Sequence, residues 1–121
     1  MLKLAIPVLH VSSAADAKEF YCERLGFRQG FTHKLDESQA DPCYIGLMRD
    51  GVWLHLSSFS GDGVAGNVAY IVVDDVDALY TDFLAKGVEI SMPPTDQSWG
   101  NREMYVEDAD KNSLRFVREN I

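Results

Sequence analysis

The order strand, helix, then three strands is written twice in this chain, and that repetition constrains the fold more than any single motif does. LHVSSAADAKEFYCERLGF, from Leu9 to Phe27, answers IVVDDVDALYTDFLAKGV, from Ile71 to Val88, at a period of about 60 residues. A repeat of this length without low complexity implies two similar half-units, whereas a propeller or solenoid needs more copies. The pattern predicts an α+β chain of two βαβββ half-units within one domain of 121 residues. The first spans residues 1–59, a glycine-rich linker 60–66, and the second 67–121.

In the first copy LAIPVLHV reads as a strand. It sets Leu4, Ile6, Val8 and His10 on one face and Ala5, Pro7, Leu9 and Val11 on the other, with Pro7 where no ladder hydrogen bond is needed. Ser12 or Ser13 caps a helix to about Leu25, and Gly26 ends it. FRQGFTHK resumes extended structure, LDESQADP is a polar loop, and Cys43–Ser58 folds back on the Asp50-Gly51 turn. Pairing outward from that turn sets Met48 opposite Trp53, Gly46 opposite His55 and Tyr44 opposite Ser57. Ile45, Leu47, Leu54 and Leu56 then share the other face.

The second copy follows the same grammar. VAYIVV is a strand, Asp74 or Asp75 caps the helix VDALYTDFLAK, and Gly87 stops it. VEISM is expected as a strand and PPTDQSWGN as a loop. The closing hairpin alternates Met104, Val106, Leu114 and Phe116 against Glu103, Tyr105, Ser113 and Arg115 around the turn Asp108–Asn112. Lys111 occupies that turn without glycine's freedom there.

Composition excludes several classes. A net charge of −8 and the lack of Lys/Arg clusters argue against nucleic acid and anionic membrane as partners. No apolar run approaches ~20 residues, and MLKLAIPVLHV is a poor signal peptide, so the expected location is cytoplasmic. Cys22 and Cys43 have neither metal-pair nor disulfide-framework spacing and read as reduced structural thiols. The serines lack a nucleophile-elbow context, and no phosphate-type glycine loop opens a helix.

If the parity holds, the faces opposite the core carry Tyr44, Met48, Trp53, His55, Tyr70, Tyr105 and Arg115, with Trp99 in the loop above. Aromatic lining of this kind suits a flat ligand, although the same rings are equally at home in a dimer interface.

Two copies of this unit resemble the vicinal oxygen chelate superfamily, the glyoxalase, bleomycin-resistance and extradiol dioxygenase group. AKEFYCERLGF at Ala17–Phe27 and SWGNREMYVEDADKNSLRF at Ser98–Phe116 are most similar to the bleomycin resistance proteins. Ala109 and Lys111 depart from the proline and glycine usual before the last strand. The resemblance implies that each half-unit curls into a half-barrel of mixed sheet with its helix outside. It also implies a homodimer with exchanged N-terminal strands.

Metal enzymes of the superfamily draw ligands from the first and last strands of each half-unit, and the corresponding positions are Ile6, His55, Val68 and Arg115. Only His55 can ligate, and neither His10 nor His33 restores the set, so no metal or other cofactor is expected. In the bleomycin resistance proteins a basic glycopeptide is held between aromatic side chains at the dimer interface. Trp99 matches the loop tryptophan and Phe31 an aromatic after the first helix, while Asp36 and Glu37 lie in the corresponding acidic loop.

The resemblance thus implies a metal-free binding protein for a bleomycin-like or other aromatic or cationic compound. Its candidate ligand-binding residues are Phe31, Tyr44, Trp53, His55, Tyr70, Trp99, Tyr105 and Arg115, with no catalytic residue. The alternative is a glyoxalase- or dioxygenase-like metal-dependent lyase, isomerase or oxygenase acting on a small carbonyl compound, using an unconventionally bound metal or acid–base residues such as His55 and Glu103.

Overall fold

A computed structural model describes residues 1–120 and resolves two compact units, Met1–Ala65 and a second from Gly66 onward. In the first, β1 (Val8–His10) leads to α1 (Ala14–Lys18), which continues as a π-helical turn over Glu19–Arg24. β2 (Arg28–Lys34), β3 (Cys43–Arg49) and β4 (Val52–Ser57) follow. The sheet order is β1-β4-β3-β2, with β1 parallel to β4 and the other pairs antiparallel.

The second unit repeats the plan with β5 (Val68–Val72), α2 (Val76–Ala85), β6 (Met92–Asp96), β7 (Arg102–Glu107) and β8 (Ser113–Arg118). Its order is β5-β8-β7-β6, again with one parallel pair, β5 with β8. The chain is therefore two βαβββ units, each a four-stranded mixed sheet with a helix.

Capping sets the helix ends. Ser13 is the first N-cap, its hydroxyl accepting the Asp16 N–H at 3.3 Å, and Asp75 is the second, accepting from Ala78 N at 3.0 Å. Past α2, Gly87 takes φ +74° and lets the Val88 N–H return to the Phe83 carbonyl, which folds buried Val88 back onto the helix. Gly26 does the same for the first helix, where Phe27 N returns to the Tyr21 carbonyl.

Alternation then divides each sheet. Leu9, Val11, Ile45, Leu47, Leu54 and Leu56 are buried with Ala14, Ala17, Tyr21 and Leu25 of the helical segment. In the second unit Ala69, Ile71, Met104, Val106, Leu114 and Phe116 are buried with Val76 and Phe83 of α2. Phe83 meets Phe116 edge to face at 5.3 Å. The Asp50-Gly51 turn has both residues at positive φ, and the hairpin register is the one its sequence predicts, with Met48 on Trp53, Gly46 on His55 and Tyr44 on Ser57.

Two strands differ from expectation, both through proline. β1 starts at Val8, because Pro7 has no N–H to contribute; its carbonyl still accepts from His55 N at 3.0 Å. The sixth strand is Met92–Asp96, which shares only Met92 with VEISM and otherwise runs in the stretch expected to be a loop. Pro93 and Pro94 fit there because β6 is an edge strand and the pairing is irregular between Met92 and Thr95.

The β7–β8 turn holds Lys111 at φ +66° and is fastened from within. Buried Asp108 accepts from Asp110 N and Asn112 N at 2.9 Å each and from Asn112 Nδ2 at 3.0 Å. The Asn112 Oδ1 in turn accepts from Gly66 N and Asn67 N, both at 3.1 Å, and so ties the entry of β5 to the turn beside its parallel partner. Asn112→Ala strips acceptors from two backbone N–H groups and a donor from a buried carboxylate. Urea unfolding of this variant is expected to show a loss of about 2–4 kcal/mol.

Candidate ligand-binding site

Because side chains alternate along a strand, the residues left off each core gather in rows across the opposite face. In the first unit one row runs Val8, His55, Gly46, Phe31, and the next runs His10, Ser57, Tyr44, His33. Gly46 gives the first row its shape: a Cβ there would collide with the Phe31 ring, which lies in the space the missing side chain leaves. Gly30, at the β2 irregularity, likewise leaves room for the Trp53 indole, whose edge would stand 2.9 Å from an added Cβ.

Phe31 becomes the hub of a four-ring cluster. Its centroid is 6.2 Å from Tyr44 in a near-parallel stack, 6.5 Å from Trp53, and 5.3 Å from His55 edge to face. His55 also meets Tyr44 at 5.2 Å and Trp53 at 6.3 Å, both edge-on. Phe31 remains 42% exposed, so the cluster is not a second core. The Tyr44 hydroxyl and His55 Nδ1 are 2.7 Å apart. Burial, with Asp62 adding to it, raises the Tyr44 pKa, and burial lowers that of His55, so the pair is neutral near pH 7. When the phenol donates to Nδ1, the imidazole presents Nε2–H as a donor.

In the second unit the row is Tyr70, Arg115, Tyr105, Met92. The Arg115 guanidinium lies over the Tyr105 ring, 4.9 Å from its centroid. Beside them Glu103 is only 3% exposed; its Oε1 accepts from the Tyr105 hydroxyl at 2.6 Å and its Oε2 from Trp99 Nε1 at 2.9 Å. Burial works to raise the Glu103 pKa, but hydrogen bonds from Tyr105, Trp99 and Asn101 and the Arg115 charge outweigh it, and the net shift is downward. Trp99 is fixed through its indole N–H yet 63% exposed. The Tyr70 hydroxyl donates to Glu119 at 2.8 Å.

The eight sequence candidates thus fall into two groups of four: Phe31, Tyr44, Trp53 and His55 on one sheet face, and Tyr70, Trp99, Tyr105 and Arg115 on the other. Glu103 belongs with the second group as the anchor of Trp99 and Tyr105, and its shared parity with Tyr105 was the signal for it. Asp36 and Glu37 are exposed in the β2–β3 loop, where the Asp36 carboxylate accepts from both Ser38 N and Ser38 Oγ.

The family described as Glyoxalase superfamily protein matches residues 1–120. The chain belongs to the glyoxalase superfamily. No curated protein sequence matches it. Among solved structures it is similar to a bleomycin-binding protein in complex with bleomycin, at 21% identity and a TM-score of 0.78 over 98% of this chain and 100% of that one. A member of the glyoxalase/bleomycin resistance protein/dioxygenase superfamily from Sphaerobacter thermophilus is 23% identical, with a TM-score of 0.77 over 98% of each chain. TnmS3, an antibiotic binding protein from Streptomyces sp. CB03234, is 20% identical, with a TM-score of 0.78 over 99% of this chain and 98% of that one.

The metal carried by enzymes of the glyoxalase superfamily does not fit the residues present. Among the described residues no three His, Cys, Asp or Glu side chains stand together as a donor set. The register sets Val8, rather than Ile6, directly beside His55, and Tyr70, rather than Val68, beside Arg115. Neither change supplies a ligand set: an aliphatic flanks the imidazole and a cation flanks the phenol.

The depressed His55 pKa carries a pH signature. The folded state favours the neutral ring, so this contribution to stability is whole above the ordinary value of 6.5 and is lost as pH falls from there toward the lower folded value. NMR titration should find His55 titrating below 6.5. The fall in urea stability between about pH 7.5 and 5.5 should be shallower in His55→Gln.

Proposed function

We propose that this glyoxalase-superfamily protein is a binding protein that sequesters a planar aromatic, antibiotic-like compound, with bleomycin the first candidate, and does so as a cytoplasmic homodimer without metal. The observation that carries the reading is the Phe31–Tyr44–Trp53–His55 cluster: four rings on a sheet face that contributes nothing to the helix-covered core, with Phe31 still accessible. Such a wall can stack flat groups, at about 0.5–1.5 kcal/mol per ring pair beyond the area buried. Trp99, held by its N–H with its ring in solvent, offers a second stacking surface.

Two solved structures similar in fold are described as bleomycin-binding and antibiotic-binding proteins, which supports the same reading. Sequestration needs affinity and abundance but no reacting group. The metal-dependent lyase, isomerase or oxygenase reading finds no donor set among the described residues. In the β2–β3 loop the hydrogen bonds from Ser38 hold the Asp36 carboxyl below its ordinary pKa, so it stays charged and able to attract a cationic group on the ligand. Two free cysteines fit a reducing compartment, and among the described residues no helix is long and apolar enough to cross a membrane. The N-terminal arm before β1 leaves Leu2 and Leu4 exposed, as an arm that exchanges with a second copy would.

Titration of tryptophan emission with copper-free and copper-loaded bleomycin tests the ligand. Saturable quenching is expected, weakened about tenfold or more in Phe31→Ala, which removes the hub of the ring cluster and a stacking partner worth on the order of 1–2 kcal/mol with its area. Emission indifferent to near-millimolar drug removes bleomycin as the ligand. Sedimentation equilibrium should give twice the chain mass for the full protein, and deletion of residues 1–6 should shift it toward monomer; a monomeric full-length protein removes the homodimer.

A further inference from the structure

The Arg115 side chain lies at the centre of a face crowded with hydrogen-bond donors, and no acceptor reaches it. Among the described residues it forms no hydrogen bond and no ion pair; its Nε is buried without a partner, and its guanidinium lies over the Tyr105 ring. A guanidinium is always charged and carries five N–H donors in a fixed fork, so a half-buried one without an acceptor is an incomplete arrangement. Arg115 and Glu103 feel each other's charge, yet the hydrogen bonds that reach the Glu103 oxygens come from Tyr105 and Trp99 and not from the guanidinium. The neighbouring phenol of Tyr70 donates elsewhere, to Glu119. Tyr105, Trp99 and Tyr70 have all found acidic oxygens; Arg115 alone has not.

The missing partner is therefore an anionic oxygen, and the surrounding rings require that it be attached to something flat. We propose that the ligand of the second unit's face is an aromatic carboxylate, its acid group received by the Arg115 fork and its ring lying against the Tyr70, Trp99 and Tyr105 side of the row. A carboxylate matches the fork with two parallel, charge-assisted hydrogen bonds, which a neutral amide or an ammonium cannot supply. This rests on the proposed binding function and narrows its ligand: Arg115 selects an acidic group, so an aromatic acid fits the second unit's face where a basic compound such as bleomycin does not.

Isothermal titration of the full-length protein with three probes of one shape, 2-naphthoate, 2-naphthamide and 2-naphthylmethylamine, tests the assignment. The expected result is that naphthoate binds about tenfold or more tightly than either of the others. Arg115→Gln should erase that preference and Arg115→Lys, which keeps the charge without the fork, should retain part of it; circular dichroism of both variants checks that they fold. If the amide or the amine binds the native protein as well as the acid does, or if the preference survives in Arg115→Gln, the assignment is overturned while aromatic binding stands. If none of the three binds, the assignment is overturned, and the bleomycin titration decides the aromatic-binding reading separately.

Discussion

A four-stranded sheet with a single helix can bury only one of its faces, and everything distinctive in this protein follows from what is placed on the other. In each unit the helix and one parity of the strands close an apolar layer that includes Leu47 and Leu54 in the first and Met104 and Leu114 in the second. The helix side is fixed by period-2 alternation against a helical stripe, and a slip of one residue in any strand would turn that strand's core side chains outward. The same constraint leaves residues of opposite parity free of core duty, so their identity is open to binding chemistry.

The two units show how freely that open face varies on one scaffold. Pairing aligns Val8, His55, Gly46 and Phe31 with Tyr70, Arg115, Tyr105 and Met92, position for position along the first, last, middle and edge strands. In the first unit the middle position is a glycine and the edge residue's ring fills the gap; in the second the middle position is a tyrosine and the last strand's guanidinium covers it. One row therefore presents neutral, stacked rings, and the other presents a cation on an aromatic plate. Neither row gathers three metal-binding donors: one sets an aliphatic beside the imidazole, and the other sets a guanidinium between two phenols.

Much of this was legible beforehand, and the reasons are local. Asp50-Gly51 fixed the register of β3 on β4, the glycines after each helix marked its end, and alternation in Met104–Phe116 assigned Tyr105 and Arg115 to the face away from α2. What escaped was set by geometry that alternation does not encode. The consecutive prolines argued for a loop, and only an edge position with broken pairing makes Pro93 and Pro94 compatible with β6. The ring cluster around Phe31 depended on a side chain that is absent, at Gly46, and a missing Cβ leaves no mark in a hydrophobic pattern. The importance of Glu103 depended on Trp99, four residues earlier in a loop whose path the sequence did not determine.

Glu103 also bears on why an exposed tryptophan can serve binding at all. An indole on a loop would ordinarily sample several rotamers, and ordering it on contact with a ligand costs about 0.5–1.5 kcal/mol. Here the N–H is already committed to a buried carboxylate, itself held ionised by Tyr105, Trp99, Asn101 and the Arg115 charge against the cost of burial, so the ring is oriented before any ligand arrives. Since the hydrogen bond uses only the ring edge, both aromatic faces are spared. If Trp99 stacks on a ligand as proposed, the Glu103 carboxylate thereby sets how much of the intrinsic stacking energy of that ring is available.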